Sequence, residues 1–141
     1  MVEVRLAALA DFANVDAAGK VNIIGMFNEL TADSFPVVVH AMFVALVFEA
    51  PPSEFGIDKT LSLLLIDSDG QKVIDMSFGS HTPSPTRSGA PAQINLVVCL
   101  NNVKIDRPGE YEFCVLVNGE QKKTLPLRLA SSQEREQEIH P

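Results

Sequence analysis

Gly109-Glu110-Tyr111-Glu112-Phe113-Cys114-Val115-Leu116-Val117-Asn118-Gly119-Glu120 is the stretch that decides the fold class. Tyr111, Phe113, Val115 and Val117 alternate with Cys114 and Leu116, so one face of an extended segment is more apolar than the other. Asn118-Gly119 follows directly. Both residues tolerate the positive φ of a two-residue hairpin turn, and the chain is expected to reverse there into a second strand over 120–130. Pro126 lies inside that run and cannot donate a ladder hydrogen bond, so it predicts a sheet edge or a bulge.

The same pattern extends in both directions. Short β-branched and aliphatic runs at 3–12, 21–30, 37–49, 59–66, 71–78, 92–103 and 110–117 are separated by Gly, Pro, Asn and Asp. Asp67-Ser68-Asp69-Gly70 predicts a second tight hairpin, and Asn14 to Lys20, with Gly19, predicts a turn. No 12-residue segment has apolar residues at helical spacing with caps at both ends. The expectation is an all-β, two-sheet antiparallel sandwich of about eight strands, with a closed barrel as the alternative. A single domain is expected over 1–130, followed by a flexible polar tail over 131–141.

Composition limits the function classes. A chain of 141 residues buries roughly 70% of its unfolded surface on folding, enough for one core without a disulfide or metal staple. Its net charge is −7, and its 11 basic residues are scattered. Nucleic acid and anionic membranes both select clustered Lys and Arg, so neither is an expected partner. Leu6 to Ala10 is too short an apolar run for a secretory signal, and no stretch is long enough for a membrane-spanning helix; a cytoplasmic location is expected. Cys99 and Cys114 show no metal-ligand spacing and read as free thiols in a reducing compartment.

Two segments carry a family resemblance. The first is Leu9-Ala10-Asp11-Phe12-Ala13-Asn14-Val15-Asp16, continuing through Gly19-Lys20-Val21-Asn22-Ile23-Ile24-Gly25-Met26-Phe27. The second is Pro108-Gly109-Glu110-Tyr111-Glu112-Phe113, with Asn118-Gly119-Glu120 and Leu125-Pro126-Leu127. Together they resemble an uncharacterised bacterial family, a domain of unknown function. The resemblance implies a β-sandwich of immunoglobulin-like or C2-like character and carries over no catalytic or ligand-binding residue.

Catalytic motifs are missing. Gly19-Lys20 lacks the rest of a phosphate-binding loop, and Phe78 stands where a calcium loop opening at Asp67 needs its glutamate. His40, His81 and His140 are dispersed, and no nucleophile elbow or paired-histidine zinc motif occurs. A non-catalytic protein without cofactor or metal is expected.

The strand faces are more informative. The segment 37–49 is apolar on both faces: Val38, Met42, Val44, Leu46 and Phe48 on one, Val37, Val39, Ala41, Phe43, Ala45 and Val47 on the other. Val21, Ile23 and Phe27 stand opposite Ile24 and Met26, and Val97 and Cys99 stand opposite Ile94, Leu96, Val98 and Leu100. A nominal outer face this apolar needs a cover. The expected contact face is Val39, Phe43, Val47, Val97, Cys99, Cys114 and Leu116, covered by a second copy or another protein; the alternative cover is the chain's own loops. If 92–103 and 110–117 form a hairpin, Cys99 and Cys114 lie near each other on that face. The Pro-rich loop over 79–91 offers His81 and Arg87 as binding residues. The predicted function is an interaction or oligomerising module. The alternative is a small-molecule or carbohydrate-binding sandwich that uses its end loops, although Trp is absent.

Overall fold

The computed structural model describes residues 1–82 and 90–132. Among the described residues nine strands follow one another: β1 (Glu3–Val15), β2 (Val21–Met26), β3 (Glu29–Ala32), β4 (Val37–Ala50), β5 (Asp58–Ile66), β6 (Lys72–His81), β7 (Ala92–Ile105), β8 (Gly109–Val117) and β9 (Glu120–Ser131). They form two sheets, ordered β2-β1-β4-β7 and β3-β9-β8-β5-β6. The molecule is therefore an all-β sandwich.

Both predicted hairpins form for the expected reasons. Asn118 and Gly119 adopt φ of 50° and 81° between β8 and β9. In the β5–β6 turn Gly70 has φ 80°, and the Asp67 carboxylate accepts hydrogen bonds from the backbone N–H groups of Asp69 and Gln71 at 2.9 Å each. Pro126 occupies the part of β9 that precedes its pairing with β3, which covers only Arg128 to Ser131. Its missing N–H falls where β9 has one neighbour rather than two.

Three expectations are corrected. The run 21–30 is two strands, because Phe27 and Asn28 carry the chain from one sheet to the other. The resulting β3 pairs with β9 in parallel, so the sandwich is not wholly antiparallel. The segments 92–103 and 110–117 do not form a hairpin. Asp106 to Pro108 crosses between sheets, leaving β7 in one and β8 in the other. Val39 does not join the outer face. Asn102, opposite His40, has φ 54°, and past this point the alternation changes over: Met42, Val44, Leu46 and Phe48 point inward on one side of it, Val37 and Val39 on the other.

The core lies between the sheets. Met42, Val44, Leu46 and Phe48 of β4 meet Leu63 and Leu65 of β5, Phe113 and Val115 of β8, and Leu127 and Leu129 of β9, all at most 2% exposed. Each such side chain contributes roughly 1.5–3 kcal/mol relative to exposure. Among the described residues no helix is long and apolar enough to cross a membrane.

Candidate functional site

The site begins with a bend. β1 and β2 pair continuously from Ala10↔Met26 to Val15↔Val21, but the row between Ala10 and Phe12 places Asp11 against Gly25, whose φ is 71°. An ideal Cβ on Gly25 would stand 2.5 Å from the Asp11 carboxylate, so the approach is one that glycine alone permits without displacement. Beyond this row the hairpin leaves the plane of its sheet.

Its direction is fixed by one contact. Leu6 pairs with Val47, and Val47 with Asn95, so these three share a row across the sheet. A straight hairpin would carry its tip about 30 Å past that row. Instead the Asn95 side-chain amide donates a hydrogen bond to the Gly19 carbonyl at the tip, at 3.0 Å. The β1–β2 hairpin is thus an arm folded back across the outer face of its own sheet. The floor beneath it is made of small residues: Ala8, Ala10 and Ala45 are at most 2% exposed, although their side chains point away from the core. Ala13 is buried and Ile23, its cross-strand partner, is half-buried, so these two turn toward the body of the protein.

The tip is held by Asp16. Its carboxylate accepts hydrogen bonds from the Ala18 and Lys20 backbone N–H groups at 2.9 and 3.0 Å, and from the Asn22 side chain at 3.1 Å. These donors, led by the Lys20 N–H, hold the Asp16 carboxyl below its ordinary pKa.

The arm leaves its other side in water. Phe12 is 44% exposed, its cross-strand partner Ile24 63%, and Met26, two rows away, 67%. The Phe12 ring packs at 5.3 Å, tilted by 57°, on the half-buried ring of Phe43. Exposed apolar residues standing singly need no explanation, whereas adjoining ones form a patch.

The expected contact residues separate into groups. Phe43, Val47, Val97 and Cys99 lie together on the outer face of the β4–β7 sheet: Phe43 is opposite Cys99, and Val97 is opposite Ala45. Val47 is only 8% exposed because it lies under the arm, so part of this face is covered by the chain itself. Cys114 and Leu116 belong to the other sheet, opposite Leu64 and Ser62 of β5, on the far side of the molecule. Cys99 is exposed and Cys114 buried, both as free thiols, and burial raises the pKa of Cys114. Val39 faces the core. His81 pairs through Nδ1 with the exposed Asp58 carboxylate at 2.8 Å. Arg87 and His140 lie outside the described residues.

Phe12, Ile24 and Met26 are the members that sequence reading missed as a group. Ile24 and Met26 were visible as a second apolar face of their strand. Phe12 was not, because the segment from Asn14 onward read as a turn rather than as continuing strand.

At one end of the sandwich Asp67, Gln71, Lys72, Lys104, Asp106, Arg107 and Tyr111 surround an open pocket of about 520 Å³. Its cations face carboxylates: Arg107 is 2.8 Å from Asp69 and 3.6 Å from Asp67, Lys104 is 3.8 Å from Asp106, and Lys72 is 3.2 Å from Asp75. Tyr111 donates to the Arg107 carbonyl at 2.7 Å. Among the described residues no group of three or more His, Cys, Asp or Glu is placed to hold a metal ion.

Comparison with solved structures gives distant similarity only. An immunoglobulin-like protein from Pseudomonas aeruginosa is 15% identical, with 92% of this chain and 96% of that one covered and a TM-score of 0.46. The alkylpurine DNA glycosylase AlkC of Pseudomonas fluorescens, bound to DNA containing an abasic site analog, is 14% identical, with 92% of this chain and 30% of that one covered and a TM-score of 0.48. A β-glucosidase from Listeria innocua in complex with isofagomine is 10% identical, with 89% and 16% covered and a TM-score of 0.46. This chain thus spans under a third of the length of the last two. No curated protein matches. Residues 5–130, which include the arm, both sheets and nearly all of the core, match a family of unknown function, and the chain belongs to that family, DUF6941.

Proposed function

We propose that this protein is a non-catalytic interaction module that meets a protein partner through the solvent side of the β1–β2 arm. The observation that carries this reading is the adjoining exposure of Phe12, Ile24 and Met26 beside Phe43. A hairpin folded over its own sheet could bury its large residues inward and turn its small ones out. This one turns Ala13 and Ile23 inward and still leaves Phe12, Ile24 and Met26 in water. An apolar centre of this kind, with Asn14 and Asn22 paired alongside it, matches the anatomy of a protein contact: apolar inside, uncharged polar at the edge. A reducing cytoplasm suits the two free thiols.

The test is site-specific photo-crosslinking in the native cell. A photoreactive residue at position 24 is expected to trap a protein in a discrete adduct, while one at Ser77, on the outer face of the other sheet, gives none. Equal or absent adducts at both positions overturn the reading.

A further inference from the structure

The second feature that calls for a partner is an edge. β7 ends its sheet, and among the described residues no strand pairs with its outer side. A free edge presents a row of unpaired N–H and C=O groups and is a template for another strand unless it is blocked. The other three edges carry such blocks. β3 has four residues, β2 has six and contains Gly25 at φ 71°, and β6 carries Lys72 and Asp75. β7 has 14 residues, and between Ala92 and Asn101 it contains no charge, proline or glycine. Lys104 and the positive φ of Asn102 come only after that stretch.

The middle of β7 reads the same in both directions by residue character. Asn95-Leu96-Val97-Val98-Cys99-Leu100-Asn101 is symmetric about Val98, with Val97 answered by the similarly small Cys99. In an antiparallel pair of identical strands each residue meets its mirror position, so this symmetry sets like against like. Centred on Val98, the register places Asn95 against Asn101, Leu96 against Leu100 and Val97 against Cys99. Amides thus meet amides and apolar groups meet apolar groups. Every opposed pair also lies on one face, since Leu96, Val98 and Leu100 point toward the inter-sheet side while Asn95, Val97, Cys99 and Asn101 point outward. In a chain of net charge −7, an uncharged edge is also the place where two copies approach with least repulsion.

We propose that β7 pairs antiparallel with β7 of a second copy about a twofold axis at Val98, joining two four-stranded sheets into one of eight. This inference stands on the edge and its symmetry, and it does not rest on the arm's contact surface. The eight-stranded sheet would bring the outer faces of both copies side by side, so one dimer presents two arms.

The test has three parts on the full chain. Native mass spectrometry of wild type is expected to give twice the mass of the chain; a monomer at every concentration overturns the proposal. Val97→Cys places a thiol opposite Cys99 of the other copy, so mild oxidation is expected to give a reducible covalent dimer that Val97→Cys with Cys99→Ala does not give. Failure to link, or linkage independent of Cys99, overturns the register. Cys99→Lys sets a charge against Val97 of the other copy and is expected to weaken the dimer by about tenfold or more, while Cys99→Val leaves it intact. Because Cys99 is exposed, the fold should survive both changes, which circular dichroism checks. Ile24→Glu separates the two readings. It is expected to remain a dimer; if it dissociates instead, the arm is the self-contact, edge pairing is overturned and the arm's role as a contact surface stands.

Discussion

Gly25 stands at the bend of the arm, and its replacement is the sharpest single-residue prediction. At φ 71° an L-residue is strained whatever space surrounds it, and the Cβ would press on the Asp11 carboxylate. Gly25→Ala is expected to cost about 1–2 kcal/mol from the backbone alone, since the carboxylate can swing aside. Chemical denaturation checks the magnitude. The residue scale is also where the sequence was least transparent. The alternation that placed Phe43, Val97 and Cys99 outward was legible, because nothing interrupts it between Ala41 and Ala50. Val39 was misread because the change of face depends on Asn102, a residue on the neighbouring strand. A backbone angle on one strand that redirects side chains on another leaves no periodic signal in either.

The strands themselves were legible wherever a turn residue marks their ends, as Asp67 to Gly70 and Asn118-Gly119 do. They were not legible where the chain changes sheets without a turn. Phe27 and Asn28 look like ordinary strand residues, yet they separate β2 from β3. The Phe27 N–H still bonds the Leu9 carbonyl at 3.1 Å, while the Asn28 carbonyl already accepts from Arg128 of the other sheet at 2.8 Å. The arm was hidden for a similar reason: its fold-back is a tertiary contact between residues 76 positions apart. That contact gives a prediction at the scale of the element. Asn95→Ala removes the hydrogen bond to Gly19 and is expected to cost no more than about 0.5–1.5 kcal/mol of global stability. Backbone amides of residues 13–23 should nevertheless exchange faster, because the arm opens without unfolding the sheets. Exchange monitored by NMR distinguishes this local opening from a general loss of stability, in which amides of β4 and β8 would accelerate equally.

At the scale of the molecule, the two sheets are joined after β4 by a short 3-10 turn, Pro52–Glu54, and one residue of that turn ties several parts together. Glu54 bonds the Lys59 ammonium at the start of β5, and its other carboxylate oxygen lies 3.5 Å from the N-terminal amine ahead of β1. The Lys59 side chain is only 8% exposed, so Glu54 takes the place of water around its ammonium. The hydrogen bond from Lys59 holds the Glu54 carboxyl below its ordinary pKa of 4.5. A carboxylate with a depressed folded-state pKa contributes stability that is fully present above its unfolded value and is lost as pH falls through the depressed value. Wild type is therefore expected to lose melting temperature as pH drops below about 4.5. Glu54→Gln should melt lower than wild type at neutral pH, where it strands the Lys59 charge, and the gap between the two should narrow as acid protonates Glu54 in the wild type. Thermal melts of both proteins across that range check the prediction. A gap that stays constant into acid would mean that Glu54 acts through packing of the turn rather than through its charge. The joint between the sheets would then owe its stability to the buried ends of β4 and β5, Phe48 and Ala50 against Leu61 and Leu63.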